Sequence, residues 1–160
     1  MSVTMRVARI ADADAIVELT RQLGYDVARS AVEVRLSRIL SRDDQVFFVA
    51  EVEGRPVGWL HAALWEDIEA EAFVVIGGLV VDRNHRGKGV GRRLMDEAEE
   101  WTRTHGCSII RLWSSSARTA AHRFYEELGY RNIKTQYSFA KALDRPGQDQ
   151  LPGLVPRIEH

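Results

Sequence analysis

Residues 80–95, VVDRNHRGKGVGRRLM, carry glycines on three alternating positions, Gly87, Gly89 and Gly91, among Arg83, Arg86, Lys88, Arg92 and Arg93. An apolar run enters this stretch and a pattern with helical spacing leaves it. Glycines, lacking Cβ atoms, let a bulky group approach the backbone closely. Successive N–H groups of such a turn, backed by the partial positive charge of a helix start, favour an anion there. The chemistry these residues can do is therefore the holding of a phosphate or pyrophosphate. Two familiar loops fit poorly. The phosphate loop of nucleotide hydrolases needs Ser or Thr after Gly-Lys, and Lys88 is followed by Gly89. The dinucleotide fingerprint needs G-x-G-x-x-G after a first strand, whereas the spacing here is G-x-G-x-G, deep in the chain.

The elements that must position this turn are legible as alternation and helical spacing. MRVARI, from residue 5, alternates as a first strand. Asp12 is placed to cap a helix with Ile16, Leu19 and Leu23 on one face and Gly24 at its end; Ser30 is placed to cap a second with Val32, Leu36, Ile39 and Leu40. QVFFVAEV and VGWLHAALW, joined by EGRP, read as a hairpin. After the acidic connection EDIEAE comes AFVVIGGLVV, residues 72–81, nearly all apolar and so predicted as a central strand buried on both faces. Gly77-Gly78 within it predicts a bulge or a close backbone approach. The helix after the glycine turn puts Leu94, Met95, Ala98 and Trp101 inward and ends at His105-Gly106. SIIRLWS is a further strand, RTAAHRFYEELGY a helix stopping at Gly129, and IKTQYSFAKAL a final strand. The stretch from Asp144, with Pro146, Pro152 and Pro156, reads as an irregular tail on one domain spanning residues 1–143. The order βααβββαβαβ predicts an α/β domain with a mixed sheet.

At 160 residues the chain is long enough for one real core. Lys and Arg total 22 against 23 for Asp and Glu, so no basic excess points to nucleic acid. The single Cys107, at the start of a predicted strand, excludes an internal disulfide and a cysteine-based zinc cluster and reads as a buried thiol. The five histidines are scattered, and no metal site is expected. No apolar run approaches the roughly 18 residues of a membrane span and no signal-peptide pattern opens the chain, so a cytoplasmic location is expected.

Arg86-x-x-Gly89-x-Gly91 resembles the Gln/Arg-x-x-Gly-x-Gly/Ala signature of the GNAT superfamily of acetyl-CoA-dependent N-acetyltransferases. A second signature of that family, Ala-x-x-x-Tyr-x-x-x-Gly-Phe/Tyr, is met by Ala121, Tyr125, Gly129 and Tyr130. The version Ser115-x-x-Arg118-x-x-Ala121-His122-x-Phe124-Tyr125-Glu126 is similar to members that look like aminoglycoside 6′-N-acetyltransferases. The resemblance covers residues 3–143. It implies a single-domain fold with about four helices and a central sheet of six to seven strands, splayed between strands four and five.

It also implies a site. The amides of residues 86–92 (Arg86, Gly87, Lys88, Gly89, Val90, Gly91 and Arg92) would hold the coenzyme A pyrophosphate, with the side chains of Lys88, Arg92 or Arg93 assisting. The backbone of Leu79 and Val81 would bond the pantetheine arm as an added strand does, and an N–H at Leu79 or Val80 would face the acetyl oxygen. Ser114, or Ser115 or Ser116, would replace the family's frequent Asn, whose position is Arg118 here; Arg118 either pairs with a coenzyme phosphate or lies exposed. Tyr125 would be the general acid: a phenol of pKa about 10 stays protonated at neutral pH and can donate to a thiolate of pKa about 8.5.

The carboxylate that some members carry eleven residues before the Arg/Gln is absent, because that position is Val75. Glu66, Asp67, Glu69 and Glu71 are nearby carboxylates, but the base stays unassigned. His122 reads as a packed or surface residue. The acceptor cleft implied by the family draws on Gly24, Tyr25 and Asp26, on Trp65, Glu66 and Glu71, and on Tyr137. Acidic and aromatic residues suit a small cationic amine. Three readings stay open: transfer to a small-molecule amine, transfer to a protein lysine or N-terminus, and a non-catalytic coenzyme A binder. A homodimer is expected by analogy alone.

Overall fold

The computed structural model describes residues 1–143. They hold five strands, β1 Val3–Val7, β2 Gln45–Val52, β3 Arg55–Trp65, β4 Phe73–Val81 and β5 Ile110–Leu112, and four helices, α1 Ala13–Leu23, α2 Arg29–Leu40, α3 Val90–Thr104 and α4 Thr119–Glu127. The chain divides into two compact units, Met1–Trp113, which contains the whole sheet with α1 to α3, and a second unit beginning at Ser114, which contains α4.

The sheet order is β1-β2-β3-β4-β5. Its first four strands are antiparallel, and β5 joins β4 in parallel after the α3 crossover. The predicted hairpin is present, with Glu53 and Gly54 both at positive φ (49° and 77°) in its turn, the backbone that two-residue hairpins favour. One face of the sheet packs Phe47, Val49, Trp59 and Val80 against Ile16 and Leu19 of α1 and Val32 and Leu36 of α2. On the other face a Cβ built at Gly58 would lie 3.2 Å from Leu94, so α3 covers the side of Gly58 and, by alternation, of Leu60. Leu60, Leu94, Met95 and Val74 are fully buried. This two-sided burial is what the unbroken apolar run of β4 requires. The register between β3 and β4 shifts between His61 and Ala62: Gly78 faces His61 and Ile76 faces Ala62, so Gly77 is the extra residue of the predicted bulge.

Three expectations are corrected. The described residues contain five strands, not six to seven: residues 133–143 pair with nothing described, and Tyr137 and Phe139 are 91% and 92% exposed. Alternation marks which side of a strand seeks burial, but pairing with a partner strand is not written in its own residues. Asp12 does not cap α1 with its side chain. It turns back instead, accepting the Arg9 N–H at 2.8 Å and two bonds from the Arg6 guanidinium, also 2.8 Å each. Burial pushes the Asp12 carboxyl up, but these bonds outweigh it and hold it below the usual carboxylate range. Ser30 lies inside α2, which starts one residue earlier with Ala28 at its N-cap. The proline-bearing tail, residues 144–160, lies outside the described residues.

Candidate functional site

β4 delivers the chain to the glycine turn, and a set of side chains fixes how it arrives. The Asp82 N–H donates to the Val57 carbonyl at 2.8 Å, extending the ladder with β3. The Asp82 carboxylate accepts from Gln22 Nε2 at 2.8 Å, from the Asn84 N–H at 3.3 Å, and lies 2.8 Å from His85 Nδ1. The Gln22 carbonyl oxygen in turn accepts the Arg83 N–H at 2.9 Å. The bonds from Gln22 and His85 hold the Asp82 carboxyl below the usual carboxylate range. Gln22 therefore ties the end of α1 to the short 3-10 turn Arg83–His85. Sequence reasoning missed this group. An Asp two residues before Asn, just past an apolar strand, is a turn signal, but nothing in the sequence links it to Gln22.

Gly87 and Gly89 have φ of 71° and 80°, in the left-handed region where a side chain is strained. A Cβ at either would meet nothing within 4 Å, so the space beside both is open. Gly89 is the N-cap of α3, and its carbonyl accepts the Arg93 N–H at 3.1 Å. Gly91 sits in the first turn of α3 without a positive φ, so its backbone does not demand glycine. That first turn has no acidic residue. Three of the basic side chains are engaged by backbone carbonyls: Arg86 Nε donates to Val81 (3.0 Å), Lys88 Nζ to Asn84 (3.0 Å), and Arg93 to Val3. Arg92 is exposed and makes no hydrogen bond or ion pair among the described residues.

β5 pairs with β4 only at residues 74–76, so residues 77–81 have a strand partner on the β3 side alone among the described residues. Because the Asp82 N–H points to β3, alternation turns the Val80 backbone to β3 as well, and the N–H and C=O of Leu79 and Val81 to the open edge. Leu79 and Val81 are half-buried, and Val80 is buried. The bulge beside them is tight on one side: a Cβ at Gly78 would lie 2.7 Å from the Trp59 ring, and one at Gly77 would lie 3.0 Å from His61 Nδ1.

In the second unit, the Ser114 hydroxyl is shielded from solvent and has no hydrogen-bond partner among the described residues. Arg118 is exposed at the N-cap of α4. His122 Nε2 lies 2.8 Å from the Ser115 carbonyl, to which it donates, and so serves the local turn. Tyr125 is half-buried on α4, with its ring centroid 5.1 Å from that of Phe124 and 6.1 Å from that of Tyr130, both edge-on. Burial raises its phenol pKa above the ordinary value, and Arg118 pulls it the other way.

Within the first unit the acceptor-side residues do not converge. Tyr25 follows α1, whose end is bound to Asp82 at the far end of β4. Trp65 pairs with Phe73 at the other end of that strand, eight residues from Val81 and roughly 26 Å away at the rise of a strand. Trp65 is 54% exposed, and Glu66, Asp67, Glu69 and Glu71 are exposed beside it. Tyr137 lies in the unpaired segment of the second unit.

Within the first unit, the open space beside two left-handed glycines and the free edge of β4 each fit a phosphate-bearing ligand with an extended amide arm. Comparisons with known proteins concern the chain as a whole. The family model described as the acetyltransferase (GNAT) family matches residues 13–130. The chain is 35% identical over 94 residues to an uncharacterised N-acetyltransferase of Methanocaldococcus jannaschii, a match covering 58% of this chain and 42% of that protein. The chain thus spans less than half the length of that relative. It is 27% identical to the aminoglycoside N(6′)-acetyltransferase type 1 of Stenotrophomonas maltophilia, over 88% of this chain and 94% of that one. Among solved structures, AAC(6′)-Iy in complex with the bisubstrate analogue CoA-S-monomethyl-acetylneamine superposes with a TM-score of 0.81 at 20% identity, over 89% of this chain and 100% of that one.

Proposed function

The chain belongs to the acetyltransferase (GNAT) family, and on that premise we propose that it moves an acetyl group from acetyl-CoA directly to a primary amine of a small cationic molecule. The observation that carries this reading is the turn at Gly87 and Gly89, left-handed, open to close approach and leading into a helix with no acidic first turn. Bound there, acetyl-CoA supplies an activated thioester. The amides of residues 86–92, with Lys88 and Arg92, hold its pyrophosphate. The outward backbone groups of Leu79 and Val81 align the arm, and the Leu79 N–H is the donor available to polarise the acetyl oxygen; Val80 packs behind them. Ser114 gives a further hydrogen bond to the arm, and Arg118 a charge near it. Tyr125, kept neutral by burial, donates a proton to the departing sulfur.

Of the acceptor-side residues, Trp65, Glu66 and Glu71 lie together and exposed, and as a group they would attract a cationic amine. The relative named for aminoglycosides, matched over nearly its whole length, supports the same class. The test is release of free thiol from acetyl-CoA with aminoglycosides, polyamines, amino acids and lysine peptides in parallel. Turnover confined to small cationic amines is expected. Turnover with lysine peptides alone would move the acceptor to proteins, and tight acetyl-CoA binding without turnover would leave a regulatory binder. Tyr125→Phe is expected to lower kcat roughly ten- to a thousand-fold while sparing acetyl-CoA affinity. An unchanged kcat would reduce Tyr125 to a packing residue.

A further inference from the structure

We infer that His61 is the general base of the transfer, standing on β3 in place of the carboxylate that β4 lacks at Val75. The inference rests on the acetyltransferase reading above. Partners across a ladder share a face of the sheet, and Trp59 faces Val80, His61 faces Gly78 and Ala63 faces Val75. His61 and Val75 are therefore on the same side, two ladder pairs apart. It is the side covered by α1 and α2, because Trp59, Val80 and Phe47 share a core with both helices and the His61 ring stacks on Phe47 at 5.9 Å.

The ring's orientation is fixed. His61 Nε2 lies 2.8 Å from Gln45 Oε1, an atom that can only accept, so Nε2 carries the proton. Nδ1 keeps its lone pair and makes no hydrogen bond among the described residues. It points at the bulge, 3.0 Å from where a Gly77 Cβ would stand, and Gly77 is exposed. Glycine at this position thus leaves a solvent-open space directly in front of a basic nitrogen. Leu79, whose N–H turns to the open edge, is two residues further along. Around the ring, Gln45 and Phe47 come from β2 and Gly77 and Gly78 from β4, while the helix faces turned to this side present Ile16, Leu19, Val32 and Leu36. None of these titrates, and burial alone lowers the His61 pKa. The ring is accordingly neutral at pH 7, the state a base needs.

An alkylammonium has a pKa of about 10 and must arrive at the carbonyl as the free amine. As the nitrogen lone pair forms the C–N bond, Nδ1 takes one proton from that nitrogen. The C–S bond breaks with its electron pair on sulfur, which takes up a proton, and His61 then releases its own to water. Amine and thioester become amide and thiol, with no other reactant.

Two readouts test this. Long-range proton–nitrogen NMR of the full chain without ligand is expected to show His61 protonated on Nε2 only at pH 7, and titrating below the usual imidazole value near 6.5; a proton on Nδ1 at pH 7 overturns the proposal. His61→Gln is expected to lower kcat roughly a hundredfold, with melting temperature and acetyl-CoA affinity unchanged. The acid limb of kcat/KM, where activity falls as pH drops through the lowered His61 pKa, is expected to vanish with it. Undiminished turnover in the folded variant overturns this inference alone, whereas no turnover by the parent protein with any amine overturns the acetyltransferase reading as well. Should the variant fold poorly, Gly77→Ala, which puts a methyl group on Nδ1, is expected to lower kcat in the same way, and parent-like kcat there overturns the proposal.

Discussion

Two pairs of glycines lie less than a dozen residues apart and are glycine for opposite reasons. Gly87 and Gly89 adopt a left-handed backbone with nothing near the missing Cβ, so the constraint is conformation together with whatever approaches from outside. Gly77 and Gly78 have no positive φ, and the missing Cβ would collide with side chains of the protein itself, His61 and Trp59. One pair leaves open space beside the turn. The other lies against neighbours that the fold has already placed, the Trp59 ring at Gly78 and the His61 ring at Gly77. A glycine is thus evidence of a close approach only after it is known what would approach.

Substitutions can break this distinction, and the largest effect is expected at the turn. Gly89→Glu should weaken acetyl-CoA at least roughly a hundredfold, about 2.7 kcal/mol, because a side chain and a negative charge enter the anion site; calorimetry showing parental affinity would end the reading of the turn as a phosphate cradle. Gly78→Ala should cost about 2 kcal/mol of stability, or roughly 6 °C in Tm, since the buried Trp59 ring 2.7 Å away must shift. An unchanged Tm would show that Trp59 yields freely and that the bulge is not packed from within. Gly87→Ala should cost only about 1 kcal/mol, the strain of a left-handed alanine, because its methyl group has no neighbour; a much larger loss in denaturant unfolding would mean that the turn is held by contacts as well as by its backbone.

Much of this was legible before any coordinates. The hairpin, the twice-buried β4 and its bulge, and α3 follow from alternation, an unbroken apolar run, a glycine pair and helical spacing, all of which are local signals. The glycine turn and the Tyr125 helix were legible as motifs. What escaped depends on distant partners. Residues 133–143 alternate as a strand would, yet they form no strand, because pairing needs a partner that lies outside their own residues. Gln22 and Asp82 are 60 residues apart and meet only because α1 lies across the sheet. His61 looks like any histidine in a strand until the registers of β2, β3 and β4 set Gln45 behind it and Gly77 in front.

The bond between Gln22 and Asp82 carries a consequence for how two ligands sense each other. One amide side chain, next to last in α1, holds both the Asp82 carboxylate and the Arg83 N–H at the entrance to the turn. A ligand that displaced α1 would strain the turn through this contact. Linkage is reciprocal, so occupancy of the turn changes the affinity for that ligand by the same factor. On the proposed function, a helix placed on the acceptor side would report on the donor.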